Sequence, residues 1–185
     1  SRVDLTAKSL VTLVEPGSCF VGTLAELLLG ADRSFMLDGG APAPIVILTD
    51  ANDGWYPMAN GRSRLRTRFC DDEAAITAVV AAFGKELDPA DAAALGLVTF
   101  TPDDLDWDDE VRVALEERAS FSPDALTGME ANLRFPGAET MDTKVFARLT
   151  AWQNWIFQRP NAAGPEGALR RYGTGARPSY DRNRT

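Results

Sequence analysis

The chain has 185 residues, 45% of them hydrophobic and 25% charged, with a formal net charge of −8, two cysteines and no histidine. That is the composition of an ordinary globular protein, one domain or one substantial piece of a larger one. Without histidine this chain can build neither a Ser–His–Asp nor a Cys–His site, nor a histidine-bound catalytic zinc, and its negative field repels nucleic acid.

No apolar run approaches the ~20 residues that span a bilayer, so no membrane partner is expected. Asp4 and Lys8 stand where the apolar core of a secretory signal would lie. Cys19 and Cys70 make no disulfide framework. Together these features predict a cytoplasmic protein.

In chain order, Leu10-Val11-Thr12-Leu13-Val14 has the length and composition of a buried strand. Glu15-Pro16-Gly17 supplies a turn, with proline fixing φ and glycine free to take φ > 0. After Cys19-Phe20-Val21, Gly22-Thr23 opens a predicted helix that runs to about Ala31. Thr23 is its expected N-cap, and Glu26 completes a T-x-x-E capping box. Leu24, Leu27, Leu28 and Ala31 fall on one face of this helix.

A second strand is predicted over 34–37, and a loop over 39–44 leads to a third strand at 45–48. The turn-rich stretch 49–58 precedes a helix expected to start near Ala59. Another helix is predicted over 72–84, with Ile76, Val79, Val80 and Phe83 as its apolar positions. Asp88-Pro89 is an N-cap and N1 pair for a short helix ending at Leu95-Gly96, followed by a short strand at 97–100.

From Trp107 the pattern turns helical, over 108–118, 122–133 and 140–158, with Ser122-Pro123 as another cap pair. The final stretch, 160–185, is rich in glycine, proline and arginine and reads as an irregular tail, docked or partly disordered. Strand and helix alternate and then helices follow as a block. The expected fold is α/β with a helical C-terminal extension, divided as 1–104, 105–160 and 161–185.

The strand–turn–helix at 15–26 is the richest place for chemistry. Amides at a helix start are unpaired and carry partial positive charge, so the Gly22 and Thr23 N–H groups are oxyanion-hole candidates. Glu26 on the first turn is a candidate acid or base, against the bland reading that it merely serves the capping box. Asp50 is the second catalytic candidate, because strand ends in α/β sheets border ligand crevices. Its bland alternative is an Asx-turn within Asp50-Ala51-Asn52-Asp53-Gly54.

Other features carry less. Ser18-Cys19 lacks the spacing and the base of a nucleophile elbow. The acidic run 103–110 lacks the EF-hand spacing and reads as the acidic first turn of a helix; no metal ligand set is expected. Trp152, Trp155 and Phe157 read as core or interface aromatics on one helix. The arginines at 62, 64, 66 and 68, and those at 170, 171, 177, 182 and 184, form either solvated faces or a contact for an anionic ligand or acidic surface.

Read together, these residues resemble the crotonase (enoyl-CoA hydratase/isomerase) superfamily. The resemblance rests on the strand at 10–14, the turn into Gly22-Thr23-Leu24-Ala25-Glu26-Leu27, Gly54-Trp55-Tyr56-Pro57, Ser63-Arg64-Leu65, and Ala92-Ala93-Ala94-Leu95-Gly96-Leu97-Val98. The superfamily's first helix often reads G-G-x-E-L, and A-x-x-x-G-L-V precedes its last core strand. Val14-Glu15-Pro16-Gly17-Ser18-Cys19-Phe20, Tyr56-Pro57-Met58-Ala59-Asn60-Gly61 and the long strings at 116–133 and 151–162 point to its ring-opening lyase branch.

That resemblance implies a partial crotonase-like arrangement of β-α layers. It also implies the C-terminal portion of a lyase that hydrolytically opens the ring of 2,3-epoxybenzoyl-CoA, releasing formate and an unsaturated semialdehyde CoA thioester. No metal or redox cofactor is implied, since CoA is part of the substrate. The implied partners are that CoA thioester, a preceding catalytic half of the same polypeptide, and a second copy in a homodimer. Glu26 and Asp50 fall near the superfamily's two acid/base carboxylates. Gly22-Thr23 replaces a run of glycines, and Asp50 is one methylene shorter than glutamate. The alternative is therefore a degenerate, non-catalytic scaffold and dimerisation half.

Overall fold

A computed structural model describes residues 3–184. The chain divides into two compact units, Ser1–Glu116 and Glu117–Thr185. In the first unit the strands are β1 (Val11–Val14), β2 (Phe20–Val21), β3 (Arg33–Met36) and β4 (Val46–Ile47). Its helices are α1 (Ala25–Leu29), α2 (Arg64–Arg68), α3 (Glu73–Val80) and α4 (Pro89–Ala94). The helix α5 (Trp107–Ser120) begins in this unit.

β1 and β3 pair in parallel from Val11↔Arg33 to Val14↔Met36, and β2 and β4 pair in parallel at Phe20↔Val46 and Val21↔Ile47. Parallel strands are usually covered on both faces, which suits their apolar sequences. Val14, Met36 and Val46 are fully buried together with Leu28 of α1, Leu65 of α2 and Val79 of α3. Phe35 stacks on Phe100 with ring centroids 5.0 Å apart and meets Trp107 edge-on at 6.5 Å. The Trp107 indole N–H donates to Glu15 Oε1 at 2.9 Å, which satisfies its polar atom.

The expected strand at 97–100 is reduced to a single bridge between Phe35 and Phe100. Side chains intervene: Ser34 N–H donates to Thr99 Oγ1, and Thr99 N–H to Ser34 Oγ, both at 3.0 Å. The Ser34 amide is thus spent on a hydroxyl, while Thr99 N–H also reaches Ser34 O at 3.0 Å. The caps at Asp72 and Asp88 are as expected. Asp72 accepts from the Ala74 and Ala75 amides at 3.0 and 3.2 Å, and Asp88 from Asp91 at 2.8 Å.

Two helix starts differ from expectation. Residues Gly22–Leu24 form a 3-10 turn, and α1 occupies only Ala25–Leu29. Gly22 has φ +50, so the N-cap position falls on Val21, which makes no side-chain cap bond. Thr23 is thus not the cap and Glu26 does not close a capping box. The helix expected near Ala59 begins instead at Arg64. Gly61 at φ +80 lets the chain turn first, Met58 N–H donating to Arg62 O at 2.8 Å, and Ser63 Oγ then caps the Arg66 amide at 3.2 Å.

The second unit is helical over 122–133 and 140–158, as the sequence predicts, and two short helices stand at the start of the stretch expected to be an irregular tail. It contains α6 (Pro123–Arg134), α7 (Met141–Thr143), a π-helical segment (Lys144–Leu149) and α8 (Thr150–Phe157), then the short helices α9 (Pro160–Ala163) and α10 (Ala168–Arg171). Gly128 lets α6 and α8 approach closely, since a Cβ there would lie 3.0 Å from Ile156 Cδ1. Buried Glu130 pairs with Arg118 and with Arg134, the latter at 2.9 Å. The tail is docked: Asn161 donates to Asp181 O at 3.0 Å and accepts from Asp181 N–H at 2.8 Å. No helix among the described residues is long and apolar enough to cross a membrane.

Candidate functional site

The glycine turn at the end of β2 carries the residues that the sequence singles out. Gly22 and Thr23 open the 3-10 turn, and Glu26 follows on the first turn of α1. The Gly22 carbonyl accepts from Asn52 Nδ2 at 2.9 Å, which ties the turn to the loop after β4. The Thr23 hydroxyl lies on the exposed side, 3.0 Å from the Tyr56 hydroxyl.

Glu26 is buried, and partners hold both of its oxygens. Oε1 accepts from Asn52 Nδ2 at 2.8 Å, and Oε2 from Arg64 Nη1 at 2.7 Å. Arg64 is itself buried and turns its other edge to Asp4. Nε donates to Asp4 Oδ1 at 2.9 Å and Nη2 to Asp4 Oδ2 at 2.6 Å, the two-pronged geometry natural to guanidinium and carboxylate. Nη1 also donates to Tyr56 O at 3.0 Å. Gly30 makes room for this side chain, because a Cβ there would lie 3.3 Å from Arg64 Cδ.

Burial opposes the charge on Arg64. The hydrogen bonds and charges of Asp4 and Glu26 outweigh that penalty and raise its pKa above its ordinary, already strongly basic value. The guanidinium is therefore a permanent cation between two buried carboxylates. Asn52 completes the network: it is fully buried, and its Oδ1 accepts from Thr49 N–H at 2.9 Å.

Asp50 sits elsewhere in the same loop. It is exposed and opens the 3-10 turn Asp50–Asn52. The residue that this turn presents to Glu26 is Asn52. Glu26 and Gly22 are thus brought together, with Thr23 beside them, and the neighbour supplied from 49–54 is an amide rather than a second carboxylate.

Sequence reasoning missed Asp4, Asn52 and Arg64 as a unit. Arg64 is one of four alternating arginines, and only the fold separates it from the others. Arg62 pairs with Asp71, and Arg66 pairs with Glu73 at 2.8 Å. Arg68 donates through Nε to Gly96 O at 3.0 Å, and burial lowers its pKa. Among the described residues, no group of histidine, cysteine or carboxylate side chains is arranged to hold a metal ion.

No protein-family model matches the chain. A benzoyl-CoA-dihydrodiol lyase from Aromatoleum evansii is 56% identical to it over 184 residues, which is 100% of this chain and 33% of that lyase. An enoyl-CoA hydratase from Geobacillus kaustophilus HTA426 superposes with a TM-score of 0.69 at 17% identity, over 98% of this chain and 64% of that one. An enoyl-CoA hydratase/isomerase from Mycobacterium paratuberculosis superposes with a TM-score of 0.66 at 13% identity, covering 97% and 63%. At these identities the hydratases speak for the fold alone. The chain therefore has the α/β crotonase fold with a helical C-terminal region, and over its whole length it resembles one third of a benzoyl-CoA-dihydrodiol lyase.

Proposed function

We propose that this chain is the C-terminal portion of a lyase that hydrolytically opens the ring of 2,3-epoxybenzoyl-CoA, releasing formate and an unsaturated semialdehyde CoA thioester. The observation that carries this reading is the 56% identity to the Aromatoleum lyase across the full length of the chain. The CoA thioester is substrate rather than cofactor, and no metal enters the reading. A preceding half of the same polypeptide supplies most of the chemistry, in the cytoplasm.

Within that enzyme this portion serves as scaffold. The Glu26 network favours that role: an acid or base must exchange a proton with substrate, and Glu26 holds Arg64 and Asn52 instead. Asp50, exposed and apart from that network, supplies no second carboxylate to it. The part of the turn in catalysis is confined to the Gly22 and Thr23 amides as oxyanion donors. Met141 and Phe146, each 76% exposed, belong to the surface through which two copies form a homodimer.

Formate release from 2,3-epoxybenzoyl-CoA tests this reading. The complete polypeptide is expected to release formate, and this chain alone none above background. Turnover by the isolated chain would overturn the division of labour. A complete polypeptide inactive on this substrate but active on another CoA thioester would overturn the assigned reaction.

A further inference from the structure

Asn60 is the one asparagine in this sequence that precedes a glycine. Ala59, Asn60 and Gly61 are all exposed, in the bend between buried Met58 and the start of α2. The other asparagines are set differently. Asn52 and Asn161 are buried and hydrogen-bonded, and Asn132 and Asn154 lie within α6 and α8, followed by Leu133 and Trp155. Asn183 is followed by a bulky arginine.

Two features of the bend favour a reaction between Asn60 and its neighbour, and a third sets the pace. Asn60 Oδ1 accepts from Arg62 N–H at 3.2 Å, an Asx-turn that draws electrons from the side-chain carbonyl carbon. Gly61 has φ +80 and brings no side chain to crowd its own nitrogen; a Cβ there would meet nothing within 4 Å. Gly61 N–H donates to Met58 O at 2.9 Å, and Met58 N–H donates to Arg62 O at 2.8 Å. This bracket must open before the Gly61 nitrogen can give up its proton, and exposed turns open at low cost.

We propose that Asn60 is a site of spontaneous covalent modification, losing its side-chain amide to attack by the Gly61 backbone nitrogen. The deprotonated nitrogen bonds to Asn60 Cγ, the bond from Cγ to Nδ2 breaks, and Nδ2 leaves as ammonia, taking its proton from water. The attack is intramolecular, so no partner molecule has to be brought into place. Water then opens the succinimide that has formed. Cleavage on the Cγ side leaves aspartate at position 60, and cleavage on the α-carbonyl side leaves isoaspartate, with the main chain routed through Cβ. In sum, one water is consumed and one ammonia is released. Either product adds a negative charge beside Arg62, which already pairs with Asp71. The isoaspartyl form also lengthens the main chain inside the Met58–Arg62 bracket, just before the helix that carries Arg64.

Peptide mass mapping of the complete polypeptide, held at mildly alkaline pH, tests this without reference to activity. The expected result is loss of the amide at position 60 before that of any other asparagine, with ammonia released in equal amount. Aspartate and isoaspartate should both appear there, and the isoaspartyl form should lose exchange protection at the Met58 and Gly61 amides. Asn60→Gln should abolish the change at that position, because the longer side chain must close a larger ring. Retention of the amide in the folded polypeptide, after the same chain in denaturant has lost it, would overturn the proposal. Earlier loss at another asparagine, or an unchanged rate of ammonia release in Asn60→Gln, would overturn it too.

Discussion

Replacing Arg64 by methionine is expected to destabilise the folded polypeptide by about 3–5 kcal/mol, the usual cost of removing one partner from a buried ionic cluster. Arg64, Asp4 and Glu26 are 6%, 2% and 8% exposed, so neither carboxylate can turn to bulk water in the native fold. Methionine fills the space of the stem but leaves two anions facing a thioether. Asn52 covers one oxygen of Glu26, and Asp4 loses the paired N–H groups of the guanidinium.

The pH dependence has a definite sign. The Arg64 pKa is raised in the folded state, so its contribution is fully present below its unfolded titration and is lost only as pH rises through the folded one, far above neutrality. Wild-type stability owed to this group is flat across neutral pH. Denaturant midpoints of wild type and the methionine variant at neutral pH, where the Arg64 contribution is fully present, measure the cost. A loss under about 1 kcal/mol would mean that the cluster is solvated in solution and worth no more than a surface pair.

Asn52→Ala is expected to cost about 2–4 kcal/mol, since each buried group left unsatisfied costs about 1–3. Truncation removes the donor to Gly22 O and Glu26 Oε1 and the acceptor of Thr49 N–H together. Asn52→Asp should be no better, because it sets a second anion beside Glu26 in place of a donor. Amide exchange resolves the local consequence. In Asn52→Ala the amides of the 22–26 turn should lose more protection than those of α4. Uniform loss across both would identify global destabilisation rather than release of the turn.

Much of this fold was legible because its causes are local. The glycine turn at Gly17 with φ +88, the Asp72 and Asp88 caps, and the apolar runs of β1 and β3 are each decided within a few residues. The site was only half legible. Glu26 and Gly22 stood out by their pattern, but Asp4 meets Arg64 across 60 residues and Asn52 meets Glu26 across 26. No spacing rule connects such pairs.

Which residue of 50–52 faces Glu26 is set by the phase of a three-residue 3-10 turn, too short a period to read from sequence. The start of α1 is hidden from the sequence for a related reason. Thr23 has the chemistry of a cap, but the positive φ of Gly22 and the tie from Asn52 to its carbonyl tighten the first turn and send the Thr23 hydroxyl to Tyr56. In the second unit, the arginine-rich tail was docked by Asn161, a single buried side chain that composition does not reveal.

The central claim is that Glu26 holds the structure together and does not move protons, and that Asp50 does not do so in its place. The most direct measurement is kcat for formate release by the complete polypeptide carrying Glu26→Gln and Asp50→Asn. The account predicts kcat within about tenfold of wild type, alongside a lowered denaturation midpoint from the broken Arg64 pair. A fall in kcat of about 10²–10⁴, the range expected on losing a general acid or base, with the fold intact, would contradict it and place the chemistry in this turn.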